Sequence, residues 1–324
     1  MTRRGAQDLT HAARNPAGLS KIGFGGWEAG GGTTWGPNSS TDQVVAAMHA
    51  AFDAGVNCID TAEVYGGCGG SERVVGAAVA GRSEVKVCTK VAPQVEDHFT
   101  EAGMRAALHA SLVRLGRDAV DVYLLHWPAE TTQLEEAWGA MVKLKTAGLV
   151  GCIGLSNFPA SDVVACAATG ELNYVQGPGS LLHRDELDTV GPLCEQHGVG
   201  FMAYGALGYG LLGGTIDAST LFADWRGGKV AADDFFCAEN YARLFAPNIR
   251  EQHLAVVDNL RALAEKIPGV SLSQLGLAWL LAQPAVTTAL VGTRNIQHAV
   301  NNAAATQISL TIEQLARIAA IIGA

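Results

Sequence analysis

The sequence predicts a (β/α)8 TIM barrel with a long loop after strand seven, and three observations carry that prediction. Eight short β-rich runs alternate with amphipathic stretches along the 324 residues. The runs are almost unbroken in apolar residues, as strands buried on both faces are. No composition break or linker divides the chain near its middle, which disfavours two doubly wound domains. Eight strand–helix units fit the roughly 250 to 350 residues that such a barrel takes. The reading is one domain over 1–324, with 1–18 as a flexible N-terminal segment.

The strand runs come in this order: "LSKIGFGGW" (19–27), "VNCIDTA" (56–62), "VKVCTK" (85–90), "VDVYLLHW" (120–127), "VGCIGLSN" (150–157), "NYVQ" (173–176), "GFMAYGAL" (200–207) and "TTALVG" (287–292). Helical periods lie between them, as in "TDQVVAAMHAAFDAG", "MRAALHASLVRLG" and "LEEAWGAMVKLKTAG". These three end at Gly55, Gly116 and Gly148, where a left-handed residue closes the last turn. Thr41 and Thr311 precede apolar periods and read as N-caps. Residues 208 to about 249 form one long irregular stretch containing Trp225, Phe235, Phe236, Tyr241 and Phe245. A loop of that length on a compact fold reads as a lid or binding loop.

Within "AYGALGYGLLGG" (203–214), Gly208, Gly210 and Gly213 spell G-x-G-x-x-G. That spacing is a dinucleotide fingerprint when it ends the first strand of a βαβ unit and opens a helix. Here it follows the seventh strand, and "GTIDASTLFADW" after it lacks a helical period. The run is therefore read as a barrel loop, in the region where barrels often bind phosphate.

The totals exclude several classes. Only 16% of residues are charged and the net charge is −9, which disfavours a general nucleic-acid binder. The seven cysteines include no C-x-x-C, and Cys58, Cys88 and Cys152 sit in apolar runs, so neither a disulfide framework nor a zinc site is expected. None of the nine histidines forms a His-x-His pair on a strand, and no metal is expected. "MTRRGAQDLTHAARNPAGLS" has no apolar stretch, and no segment reaches the length of a membrane span, so the expected location is cytoplasmic. Self-association is open.

In a barrel, polar residues at the C-terminal ends of strands converge on one mouth. Asp60 ends strand two, with Tyr65 in the loop behind it; Lys90 ends strand three and His126 ends strand four. Each alone has a plain structural reading as a turn cap, a packed ring or a rim residue. Four on three consecutive strands make a chemical set. An ammonium beside a phenol lowers its pKa, and a carboxylate keeps that ammonium charged and oriented. With a histidine alongside, the group suits protonation of a carbonyl oxygen as it becomes an alkoxide. No side chain supplies a hydride, so a nicotinamide cofactor is implied. A Schiff-base role for Lys90 is disfavoured, because Asp60 raises a pKa that imine formation needs lowered.

The segments "FDAGVNCIDTAEVYGGCGGSERVVGAAV", "VCTKV", "DVYLLHWP", "GCIGLSNF", "FMAYGALGYGLL" and "ALVGTRNIQHAVNN" resemble, in order, the signatures of the aldo-keto reductase superfamily. The resemblance runs from about residue 19 to the C-terminus, and its wording is most similar to bacterial members and potassium-channel β-subunits. It implies NADPH-dependent reduction of an aldehyde or ketone, with NADH possible. Tyr65 would be the general acid, completed by Asp60, Lys90 and His126. Ser156, Asn157 and Gln176 would hold the nicotinamide carboxamide, and Tyr204 would stack on its ring. The backbone of Gly205, Leu207, Gly208 and Gly210 would approach the pyrophosphate. Gly292, Thr293 and Arg294, with His298, Asn301 and Asn302, would hold the adenosine end, Arg294 facing a 2′-phosphate.

The chain departs from the family pattern at three places. Gly205 stands where Ser or Thr often follows the stacking aromatic. Gly179 stands where an aromatic usually follows the strand-six Gln, which implies a wider pocket or a differently held nicotinamide. Asn301-Asn302 stands where many members read Glu-Asn. Trp27, Trp35 and Trp127, with Phe158, are expected to line a substrate pocket for a small carbonyl compound. The alternative function is an NADP(H)-binding regulatory protein with slow or vestigial turnover.

Overall fold

A computed structural model of the protein describes residues 14–35, 40–67, 69–93, 97–129, 133–231 and 234–323. The reading of residues 1–13 as part of a flexible segment lies outside them, as does one of the seven cysteines, Cys68. The eight strands are β1 (Ile22–Gly25), β2 (Cys58–Asp60), β3 (Lys86–Val91), β4 (Val120–Leu125), β5 (Val150–Ser156), β6 (Tyr174–Pro178), β7 (Gly200–Tyr204) and β8 (Val286–Val291). They pair in sequence order, all parallel, and β1 closes on β8. Every predicted run overlaps its strand, but β3 extends one residue and β6 two residues past the predicted ends, and β8 begins one residue before its run.

Helices surround the barrel: α1 (Thr41–Asp53), α2 (Gly70–Ala78), α3 (Glu101–Leu115), α4 (Leu134–Thr146), α5 (Ala160–Ala167), α6 (Asp185–Thr189), α7 (Gly191–His197), α8 (Phe235–Asn240), α9 (Pro247–Ala264), α10 (Leu272–Leu281), α11 (Ile296–Ala304) and α12 (Ile312–Ile322). Thr311 caps α12 in a reciprocal capping box with Gln314, as expected. Thr41 does not cap α1: it is the first helical residue, and Ser40 holds the extended cap position without a side-chain hydrogen bond. Gly116 closes α3 at φ 64°, a conformation that costs a side-chain-bearing residue about 1–2 kcal/mol.

Two cores result from the strand alternation. Outward-facing side chains pack against the helices. Inward-facing Cys58, Cys88, Val122, Leu124, Cys152, Tyr174, Met202 and Leu290 fill the barrel with Leu19. All six described cysteines are buried. The segment 14–18 was expected to be flexible but is tied to the base of this interior. Tyr174 donates to Asn15 at 2.8 Å and accepts from the backbone of Ala17, while Arg14 donates to Pro284.

The long stretch after β7 is less irregular than its sequence suggests. It holds a 3-10 turn at Gly208–Gly213, another at Trp225–Gly227, helix α8, and a π-helical turn at Tyr241–Phe245. It ends where Pro247 opens α9. The glycine run opens no α-helix, because Tyr209 (φ 51°) and Gly210 (φ 106°) break the turn.

Candidate active site

The inward phase of each strand delivers the site. Counting by twos from the barrel interior, Cys58 leads to Asp60, Cys88 to Lys90, Leu124 to His126, Tyr174 to Gln176 and Met202 to Tyr204. Cys152 leads through Gly154 to Ser156 in the same way. Parallel register puts these ends side by side, with Asp60 opposite Cys88 and Ser156 opposite Gln176. The expected catalytic residues therefore meet at the C-terminal mouth.

Lys90 is fully buried and makes three contacts there. Its Nζ donates to Asp60 Oδ1 at 2.7 Å, to the Thr61 carbonyl at 2.9 Å and to the Tyr65 hydroxyl at 3.3 Å. Burial opposes a charged amine, but Asp60, followed by Tyr65 and Cys88, outweighs it and holds the ammonium above its ordinary pKa. A charged lysine of this kind is unsuited to imine formation.

The Tyr65 hydroxyl lies 3.4 Å from His126 Nε2. Burial and then the Lys90 charge hold His126 well below the usual imidazole range, so the ring is neutral. Its Nδ1 has no partner among the described residues. The phenol itself corrects an expectation. Burial pushes Tyr65 up to about 12, and the opposing pull of Lys90 does not overcome it. At neutral pH the tyrosine carries its proton.

The loop bearing Tyr65 is pinned by local packing that the sequence did not disclose. Thr61 Oγ1 and Ser71 Oγ meet at 2.8 Å, and Ser71 donates to the Gly26 carbonyl. A Cβ on Gly66 would lie 2.3 Å from the Gly30 carbonyl oxygen, so the two loop backbones touch only because both residues are glycine. Fully buried Glu72 accepts from Thr89 and from Arg114, both at 2.6 Å, and ties α2 to β3 and α3.

Above this set, a cleft of about 1540 Å³ opens at the mouth. Asp60, Tyr65, His126, Ser156, Asn157, Gln176 and Tyr204 line it, as do Trp27, Trp35, Trp127 and Phe158. So do Gly205, Leu207, Gly210, Gly292, Thr293, Arg294, His298, Asn301 and Asn302. Gly208 does not: it is buried, and a Cβ there would sit 3.3 Å from Leu182. Lys90 lies beneath the lining, reaching it through Asp60 and Tyr65. Gly179 opens no wider pocket, because Ala203 (3.1 Å) and Leu187 (3.4 Å) occupy the space beside its absent Cβ.

Several expected binding groups already have protein partners. Gln176 Nε2 donates to Asp60 Oδ2 at 2.8 Å. Asn157, at φ 61°, donates to the His126 carbonyl and to Ser156 Oγ, and accepts from the Tyr204 hydroxyl at 2.7 Å. Asn301 donates to Ser271 and Ser273. Arg294 pairs with Glu28 at 2.7 Å. Tyr204 meets a ring that the sequence did not assign to the site: Phe236 of α8, at 5.8 Å, which also packs edge-on to Trp27 at 5.3 Å. Trp127 contacts Phe235 in the same manner. Trp225 packs against both Trp27 and Trp35, so the long β7–β8 segment closes against the loop after β1.

Comparison with known proteins supplies a context for this geometry. A family model described as "Aldo/keto reductase family" matches residues 21–323. Aldo-keto reductase YhdN of Bacillus subtilis (strain 168) is 32% identical over 283 residues, covering 85% of this chain and 81% of that protein. The NADH-specific methylglyoxal reductase of Escherichia coli (strain K12) is 29% identical over 313 residues, covering 90% and 91%. The crystal structure of an aldo-keto reductase from Klebsiella pneumoniae in complex with NADPH superposes with a TM-score of 0.71 at 30% identity, covering 94% of this chain and 91% of that one.

Proposed function

The chain belongs to the aldo/keto reductase family, and from that premise we propose that it reduces a small aldehyde or ketone to an alcohol, with Tyr65 as the general acid and NADPH as the preferred reductant. One observation carries the reading: Lys90 Nζ and His126 Nε2 converge on the Tyr65 hydroxyl at 3.3 and 3.4 Å, on the wall of a cleft.

The cleft fits a nicotinamide dinucleotide. Its volume exceeds the ~300–1,000 Å³ typical of small-molecule sites, which leaves room for a cofactor and a substrate together. Buried Ser156 and Gln176 with Asn157 put amide and hydroxyl groups at the floor, suited to a carboxamide. Gly213 lines the cleft with open space where a Cβ would stand, and Arg294, in the loop after β8, lines the same cleft. When bound, the nicotinamide supplies the hydride.

The protein's own groups manage the proton. Tyr65 is protonated at neutral pH and gives its hydroxyl hydrogen to the carbonyl oxygen of the substrate as negative charge builds there. The phenolate left behind lies beside the Lys90 ammonium, which stabilises it. Asp60 keeps that ammonium charged and aimed, and the Thr61 carbonyl fixes a second direction. Neutral His126 orients the substrate oxygen beside the phenol and adds no competing charge. Trp27, Trp127, Phe235 and Phe236 supply apolar walls around the reacting carbon.

The test is oxidation of NADPH and of NADH against a panel of aldehydes, ketones and keto-sugars, with wild type and Tyr65→Phe. Equal turnover by the two proteins would reject the mechanism.

A further inference from the structure

Glu28 is the third residue of the loop after β1, in a 3-10 turn at Trp27–Gly30. Arg294 is in the loop after β8. β1 and β8 are hydrogen-bonded neighbours, so the two loops leave the barrel side by side. Glu28 Oε1 and an Arg294 terminal nitrogen meet at 2.7 Å, with 19% and 29% of the respective side chains exposed, and both residues line the cleft. On the dinucleotide reading proposed above, with Arg294 facing the 2′-phosphate as the family resemblance implies, the pair lies at the adenosine ribose.

The other arginines on the cleft wall are more heavily committed. Arg226 donates three bonds to the Asp224 carboxylate, from its backbone N–H, Nε and a terminal nitrogen, and a further one to the Tyr209 carbonyl. Arg243 is held by Asp185 at 2.6 Å and lies 3.5 Å from Glu239. An anionic group at the Arg294 end thus meets a guanidinium that already has a carboxylate on it.

We propose that Glu28 competes with a 2′-phosphate for Arg294, and that this contest sets how strongly the chain prefers NADPH over NADH. The physical reason is a difference in ligand charge. A ribose 2′-phosphate is an anion, so sharing Arg294 with Glu28 places two like charges on one guanidinium. A ribose 2′-hydroxyl is a donor, and a carboxylate is the group that accepts from it, as in other dinucleotide sites. Arg294 therefore favours the phosphorylated cofactor, Glu28 favours the unphosphorylated one, and their ion pair places both determinants at one point.

The proposal rests on the assignment of this cleft to a dinucleotide, and the experiment separates the two. Dissociation constants for NADPH and for NADH are measured by quenching of intrinsic tryptophan fluorescence, without substrate, for wild type, Glu28→Gln and Arg294→Ala. Glu28→Gln is expected to lower the NADPH constant by about three- to tenfold and to leave the NADH constant equal or raised, a shift on the scale of a partly exposed charge pair. The effect should shrink in high salt, since screening weakens charge contests. Arg294→Ala should weaken NADPH several times more than NADH. If Arg294→Ala behaves so but Glu28→Gln leaves the ratio of constants unchanged, or weakens NADPH, Glu28 is a holder of Arg294 and the proposal is wrong. If neither dinucleotide quenches wild type, or Arg294→Ala weakens both equally, the assignment of this end of the cleft is wrong and the proposal goes with it.

Discussion

Gln176 donates from Nε2 to Asp60 Oδ2 at 2.8 Å, on the carboxylate oxygen that Lys90 leaves free. The carboxylate is thereby bound on both sides, one oxygen to an ammonium and one to an amide. An Asp60 free to rotate could not aim Lys90 at Tyr65. Gln176→Leu strands the second oxygen in a buried site, at a cost of about 1–3 kcal/mol. Urea denaturation should show that loss. The kcat should fall as well, with a smaller change in the affinity for apolar substrates.

Tyr65→Phe should reduce kcat by about 10²–10⁴-fold, the range of general acid catalysis, while NADPH binding stays within about twofold. Fluorescence titration and steady-state rates measure the two separately. The direction of the reaction supplies a further check. Burial holds the Tyr65 proton to about pH 12, so the carbonyl-reducing rate should not lose its acid between pH 7 and 9. The reverse reaction needs the phenolate, so alcohol oxidation should climb steadily across that interval.

Acid should unfold the protein earlier than its carboxylates alone require. Burial, with Lys90, lowers His126, and burial, with Arg243, lowers His183 to about 4; burial also lowers His253. Each folded pKa lies below the unfolded value of about 6.5. Their contribution to stability is thus present above pH 6.5 and is lost as pH falls through the folded values. Over that descent the unfolded chain binds protons that the folded chain refuses, at up to about 1.4 kcal/mol per pH unit for each histidine. Urea midpoints at pH 7, 6 and 5 should decline in that order, and His183→Gln should flatten the decline.

The barrel was legible because its strands are short, apolar and spaced by helical periods. The convergence of Asp60, Lys90 and His126 was legible for the same reason: strand ends in one phase must share one mouth. What escaped depends on partners distant in the chain. No local pattern links Gln176 to Asp60, or Glu28 to Arg294, and each contact exists only once the barrel closes. Phe236 escaped because its helix is one short turn-and-a-half inside a stretch without periodicity. The Tyr65 pKa was misjudged because charge is visible in a sequence and the depth of burial is not. The wider pocket expected at Gly179 was misjudged similarly, since the residues that fill its space come from α6 and β7.

The six buried cysteines bear on survival rather than on chemistry. Burial raises the pKa of every one of them, to about 12 for Cys166 and Cys194. Alkylating agents and reactive aldehydes attack the thiolate, and these thiols are both shielded and un-ionised. A protein that handles electrophilic carbonyl compounds is spared modification at those six sites by the molecules it encounters. Iodoacetamide should label them in the native protein far more slowly than after unfolding in urea, as read by peptide mass spectrometry. Sulfur buried in the two cores is in this sense a form of chemical armour, with the fold itself serving as the protecting group.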